Sequence, residues 1–233
     1  MTRATGSDPG GALRIGVLGG TFNPIHFGHL RMAEALSESF SLRPFIFIPA
    51  AVPPHKSTVG LCSGDQRIEM IRKASADNPL LQVSDMELRR GGTSYSVETI
   101  EALLKEYVPP ARIFFTMADD SFAEIETWKD WRRIFTLVDL IVVSRPGTPG
   151  RDSRELLPVE MQDTFCYSEN DDAYLHTSGK RVYFRDFGAL QISSTMIREL
   201  VRTSRSIRYL VPEGVREFIQ QHGLYLKPET GVR

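Results

Sequence analysis

Cysteine is scarce in this chain. There are two among 233 residues, Cys62 and Cys166, set far apart. Two thiols so placed match no metal-ligand spacing and build no disulfide framework, so a reducing compartment, and with it a cytoplasmic location, is expected. Long apolar runs are missing as well. No stretch approaches the roughly eighteen apolar residues that a membrane span needs. Charge of one sign is not in excess: 28 basic residues face 29 acidic ones, for a net charge of −1. That balance lacks the basic surplus of a general nucleic-acid binder, so no nucleic-acid partner is expected. It leaves room for a local basic pocket. Residues 1–13 carry no apolar run; they read as a flexible tail rather than a signal peptide.

Short apolar runs alternate with helical patterns. Strands are expected at 14–18, 44–49, 80–84, 112–118, 137–147 and 180–187, and helices at 28–39, 64–77, 96–106, 193–203 and 212–223. Alternation of this kind predicts βαβ units, hence an α/β fold with a doubly wound, Rossmann-like parallel sheet. Residues 14–228 read as one domain. Inside it, 148–179 has few periodic apolar positions and reads as a surface insertion. Ligands of such sheets bind beyond the carboxyl ends of the strands.

Two stretches stand at such ends. "VLGGTFNPIHFGHL" follows the first strand and opens a helix. Gly19 and Gly20 suit a tight turn with backbone N–H groups close to a ligand. The next helix points its positive end at the same place, which attracts phosphate. His26 and His29 lie one turn apart and can face one ligand, and Gly28 between them leaves space. Imidazole donors suit phosphate oxygens and developing negative charge. A metal role for the pair needs further ligands, and no neighbouring cysteine or glutamate cluster offers them. The stretch is not a Walker loop, which ends in Gly-Lys-Ser/Thr, and it lacks the third glycine of a dinucleotide fingerprint. The second stretch, "ISSTMIREL", follows the sixth expected strand. Ser193, Ser194 and Thr195 can cap its helix, and Arg198 lies one turn on with a fork suited to phosphate.

Together, "GGTFNPIHFGH" and "ISSTMIR" resemble the HxGH and ISSTxxR motifs of the nucleotidyltransferase superfamily. The doubled glycine with "PIHFGHL" is similar to the bacterial nicotinate-mononucleotide adenylyltransferases in particular. The resemblance covers roughly 14–147 and 182–226. It implies that His26, His29 and Arg198 carry the catalysis. It implies an ATP site of Gly19, Gly20, Thr21, Phe22, Gly28, Asp119, Arg145, Ile192, Ser193, Ser194 and Thr195. Asp119, in "FTMADD", would meet the ribose, and Arg145, in "SRPG", would lie near the nucleotide. It implies a nicotinate mononucleotide site of Asn23, Lys56, Tyr95, Ser96, Trp128 and Lys129. Lys56, in "PPHK", would meet the acceptor phosphate. Ser96 and Lys129 would give backbone N–H groups to the nicotinate carboxylate, and Trp128 would stack on the pyridine. Four positions depart from the family: Asn23 and Glu98 replace aspartates, Ser96 replaces threonine, and Met117 replaces a glycine, where its side chain is expected to crowd the adenosine.

The implied reaction is adenylyl transfer from ATP to nicotinate mononucleotide, giving deamido-NAD and pyrophosphate by direct in-line attack. The second pKa of a phosphate monoester is about 6, so such an acceptor is already a dianion and needs no general base. This accounts for the lack of an obvious base–nucleophile pair. Mg2+ would ride on the ATP phosphates, with no protein metal site. The partners expected are small-molecule substrates, for a monomer or homo-oligomer. Preference for nicotinamide mononucleotide, or a catalytically impaired nucleotide-binding regulator, stays open. A synthetase-like adenylate site predicts a KMSKS-like lysine loop, and the chain has none.

Overall fold

The computed structural model describes residues 12–53, 60–108, 111–144, 154–188 and 190–226. In chain order these form β1 (Leu13–Gly20), α1 (Phe27–Phe40), β2 (Phe45–Pro49), α2 (Gly64–Ala74), β3 (Leu81–Val83), α3 (Met86–Arg90), α4 (Ser96–Glu106) and β4 (Ala111–Ala118). They continue through α5 (Asp119–Ala123), α6 (Trp131–Leu137), β5 (Asp139–Val143), β6 (Phe165–Ser168), β7 (Ala173–His176), β8 (Arg181–Arg185), α7 (Ser194–Arg202) and α8 (Glu213–Gln221). Single 3-10 turns cover Ile125–Thr127 and Val159–Thr164.

The strands lie in one sheet in the order β3-β2-β1-β4-β5-β8-β7-β6. The first six in that order pair in parallel, and β8, β7 and β6 pair antiparallel. This is the doubly wound arrangement, with its reversal of strand order between β1 and β4. Parallel strands are covered on both faces, so their residues are apolar almost throughout; β2 and β5 are buried at every position.

Alternate residues feed two cores. Leu18, Phe114 and Tyr183 point to one face, where Leu36 and Phe40 of α1, Met70 and Ile71 of α2, Ile197 of α7 and Ile219 of α8 pack. Ile15, Val17, Ile113 and Phe115 point to the other, against Ile100 of α4, Phe122 of α5 and Phe135 of α6. The helix spacing follows: Ala33, Leu36 and Phe40 recur every three or four residues along α1 and are all buried.

The stretch 148–179 contributes to the sheet. Its described part, from Arg154 on, supplies β6 and β7, and Leu157, Met161 and Phe165 enter the second core. Strands of four residues are too short to show a period of two, and β6 exposes Cys166 and Tyr167 at the sheet edge, which gives the sequence its loop-like look. The fifth expected strand is also shorter than 137–147, because α6 runs through Leu137. Far from the reversal point, Asp139 is buried against Arg112, which donates from Nε at 2.7 Å and Nη2 at 3.1 Å, and against the Arg181 N–H at 2.9 Å. That pair closes the amino end of the sheet, leaving the carboxyl end for ligands.

Candidate active site

The carboxyl ends of β1 and β4 flank the reversal point, and the loop from Gly20 to His26 leaves β1 there. Side-chain bonds from distant segments fix that loop. Arg67 Nη1 donates to the Thr21 carbonyl at 3.0 Å. Arg198 Nη1 donates to the Asn23 carbonyl at 2.9 Å, and Ser194 Oγ to the Pro24 carbonyl at 2.7 Å. The Tyr225 hydroxyl donates to Asn23 Oδ1 at 2.9 Å. Two motifs that stand at opposite ends of the chain are thus in direct contact.

His26 is the N-cap of α1, with extended backbone. Its N–H donates to Nδ1 of His29 at 3.3 Å, and the two rings stack with centroids 3.7 Å apart. Because Nδ1 of His29 accepts, the neutral ring carries its proton on Nε2, the nitrogen able to donate. Phe22 packs its ring edge-on against His29, with centroids 5.1 Å apart. His26 is buried and His29 half-buried. The Phe27 N–H is taken by the Leu210 carbonyl, whereas the Gly28 N–H has no hydrogen-bond partner among the described residues. Gly28 is required by crowding. A Cβ built there would lie 2.9 Å from His26 Nδ1 and 3.7 Å from the Ile192 carbonyl. Gly28→Ala must therefore push the His26 ring off its stack. Misplacement by about 1 Å costs on the order of a hundredfold in rate. A fall in kcat of that order, with the melting temperature within a few degrees of the parent's, is expected from steady-state assay and thermal denaturation.

The second motif lies opposite. Ser193 caps α7, its Oγ accepting from the Met196 N–H at 3.1 Å. The N–H groups of Ser194 and Thr195 have no partner among the described residues, and Arg198 Nη2 donates to Thr195 Oγ1 at 3.2 Å. Ile192 leads in, half-buried, its N–H donating to the Leu190 carbonyl. Gly19 and Gly20 are accessible at the end of β1, and Asp119 opens α5 at the end of β4, its Oδ1 accepting from the Asp120 N–H at 2.8 Å.

A third group gathers on the α4–α6 side. Tyr95 precedes α4, Ser96 is its first residue, and Trp128 follows the 3-10 turn at Ile125–Thr127. Tyr95 and Trp128 both lean on the second core. Lys129 Nζ bonds Glu98 Oε1 at 2.7 Å and sits 4.8 Å from the Tyr95 ring centre. That bond holds the exposed Glu98 carboxyl below, and the Lys129 ammonium above, their usual ranges. Glu98 at this position anchors the Lys129 side chain. The backbone N–H groups of Ser96 and Lys129 have no partner among the described residues. Lys56 and Arg145 lie outside the described residues.

Three expectations change. Asn23 does not offer its side chain to a ligand. It is 5% exposed, donates to the Gly60 carbonyl at 3.0 Å, and accepts from the Cys62 N–H and the Tyr225 hydroxyl. Phe22 is core, at 2% exposed, so its ring does not face a ligand. Met117 is 4% exposed and packs in the second core, so its side chain does not hang into the crevice. Two organisers escaped the sequence reading. Arg67 sits mid-helix, where an arginine reads as solvent-facing, and Tyr225 lies past the glycine that ends α8. Neither carries a sequence signal of its role.

Known proteins resemble this chain in sequence and in fold. The model of the cytidylyltransferase-like family matches residues 17–200. A probable nicotinate-nucleotide adenylyltransferase of Syntrophotalea carbinolica is 48% identical over 217 residues, covering 93% of this chain and 99% of its own. One from Geotalea daltonii is 46% identical over 213 residues, covering 91% and 98%. Among solved structures, the Plasmodium falciparum nicotinic acid mononucleotide adenylyltransferase complexed with NaAD superposes with a TM-score of 0.70 at 16% identity, covering 91% of this chain and 97% of that one. By sequence identity over nearly its whole length, and by a shared fold, the chain belongs to the nicotinate-nucleotide adenylyltransferase family of cytidylyltransferase-like proteins.

Proposed function

We propose that the crevice between the two motifs transfers the adenylyl group of ATP to nicotinate mononucleotide. The observation that carries this reading is the junction of the motifs: Ser194 and Arg198 bond the carbonyls of Pro24 and Asn23, so the N-termini of α1 and α7 converge at the reversal point of the sheet. Both ends bring unpaired N–H groups and a positive dipole to where a triphosphate lies.

The roles follow from chemistry. The acceptor phosphate is a dianion near neutral pH, so its oxygen attacks the α-phosphorus in line without a general base, and pyrophosphate leaves. His29, His26 and Arg198 hold the triphosphate and meet the charge that develops on it. The Asp119 carboxylate accepts from the ribose hydroxyls. Ser96 and Lys129 direct their N–H groups at the nicotinate carboxylate, while Trp128 and Tyr95 flank the ring. A neutral amide in place of that carboxylate loses charge-assisted bonds, which favours the acid. Members of this enzyme class use a divalent cation with ATP, and magnesium is our assignment. Its chemistry is to neutralise phosphate charge. We assign it to the triphosphate oxygens, hard ligands of the kind that magnesium prefers. Both cysteines are free thiols, as a cytoplasmic setting leaves them.

The test is pyrophosphate release from Mg-ATP with nicotinate mononucleotide, nicotinamide mononucleotide or phosphopantetheine as separate acceptors. Release with the nicotinate form alone is expected. Equal release with the amide form keeps the chemistry and removes the Ser96–Trp128 pocket. Silence with every acceptor, from a folded protein that binds ATP, ends the assignment.

A further inference from the structure

The C-terminal segment enters the phosphate site from behind. After α8 the chain turns through Gly223, and the Leu224 N–H bonds the Ile219 carbonyl at 3.0 Å. Tyr225 follows at φ 65°, a left-handed conformation that a bulky aromatic residue rarely adopts. Such strain persists only where the surroundings over-determine it. Here they do: the phenol reaches Asn23 Oδ1 at 2.9 Å, in a pocket that also holds Cys62, Arg67 and Arg198. Burial raises the phenol's pKa, so it keeps its proton and serves as the donor.

We propose that Tyr225 is a positioning residue of the phosphate site: its hydroxyl fixes Asn23, and the Asn23 carbonyl in turn holds the Arg198 guanidinium. The links are short and consecutive. Tyr225 Oη donates to Asn23 Oδ1 at 2.9 Å, Arg198 Nη1 donates to the Asn23 carbonyl at 2.9 Å, and Arg198 Nη2 donates to Thr195 Oγ1 at 3.2 Å. Asn23 has no slack elsewhere, since its amide also holds Gly60 and Cys62. Loss of the phenol hydroxyl leaves Asn23 with the Gly60 and Cys62 bonds alone, both to one neighbouring segment, and so loosens the point on which Arg198 leans. This inference rests on Arg198 as a phosphate ligand.

Four proteins test it: the parent, Tyr225→Phe, Arg198→Lys and the double variant. Pyrophosphate release is measured against Mg-ATP and, separately, against nicotinate mononucleotide, with ATP affinity by calorimetry. Tyr225→Phe is expected to lower kcat/KM for ATP about tenfold, the factor that corresponds to one net hydrogen bond. The KM for the mononucleotide should stay within about twofold, because the nicotinate contacts are assigned to the start of α4 and the segment before α6. In the Arg198→Lys background the same exchange should cost less than about twofold, since coupled groups are not additive. A parental kcat/KM in Tyr225→Phe overturns the proposal, and so does an equal loss in both backgrounds, which marks a merely structural contact. Should the phenylalanine variant not fold, Asn23→Ala cuts the same bond from its other end together with those to Gly60 and Cys62, and must give at least that loss, again absorbed by Arg198→Lys. If the parent binds ATP but releases no pyrophosphate, the proposed function fails. The four calorimetric affinities then still decide the link, a roughly tenfold weakening in Tyr225→Phe that the double variant does not deepen supporting it.

Discussion

His29→Ala is expected to lower kcat by a factor of about 10²–10³ while the fold survives. The magnitude is that of losing one well-placed donor to charge developing in the transition state. The geometry says why so little stability goes with it. His29 is half-buried, and its side chain accepts a long cap bond from the His26 N–H at 3.3 Å and has ring contacts to His26 and Phe22. Loss of such a cap costs about 1 kcal/mol, and in a chain of this size that moves the melting temperature by roughly 2–4 °C. The stack with His26 carries no charge requirement, and α1 keeps its apolar face on the core through Ala33, Leu36 and Phe40. A steady-state pyrophosphate assay beside a thermal melt separates the two quantities. Near-parental turnover from the alanine variant would remove His29 from the reaction. His29→Gln, which keeps a donor, should lose less.

The architecture was readable wherever an element is long and one face of it is buried. The six parallel strands are apolar runs in the sequence, and α4 buries Val97, Ile100 and Leu103 at a helical period. The glycines, histidines and serines of the two motifs sit at strand ends, where the chemistry of phosphate demands those residue types. What stayed hidden depends on contacts between distant segments. α3 and α5 have five residues each, too few to show a period. The β6–β7 hairpin gains its register from pairing with β8 rather than from its own pattern. Asn23 looked like a ligand because it sits within the motif. Its true partners, Gly60, Cys62 and Tyr225, come from two other parts of the chain. Met117 looked obtrusive for a similar reason, and the second core takes it in.

Arg67→Met is expected to be the most destabilising single exchange at the site, by about 3–5 kcal/mol, since three carbonyls lose their donor at about 1–3 kcal/mol each and two of them are only part-buried. Arg67 is 1% exposed, and α2 carries it inward beneath the crevice. Its Nε donates to the Cys62 carbonyl at 3.1 Å, and its Nη1 to the carbonyls of Thr21 at 3.0 Å and Ala50 at 2.7 Å. Burial lowers its pKa, yet a guanidinium remains charged at any working pH. Two effects compete in the methionine variant. Removing a buried charge recovers its desolvation cost, which is why some buried ion pairs can be replaced by apolar groups without loss. That compensation needs the partners to be removed as well. Here the partners are backbone carbonyls, which no side-chain exchange can delete, and each buried acceptor left without a donor costs about 1–3 kcal/mol. The unsatisfied carbonyls win. The melting temperature should fall by roughly 10 °C. The consequence reaches function, because Thr21 follows β1 and Ala50 follows β2: the same guanidinium ties the loop before His26 to the loop after the second strand. A rise in KM for ATP should therefore accompany the lower stability even well below the melting point. Arg67→Lys, with one compact donor head in place of a fork, should recover part of both losses. A methionine variant that melts within about 2 °C of the parent, with parental KM, would mean that water or a backbone shift satisfies those carbonyls and that Arg67 does not organise the crevice.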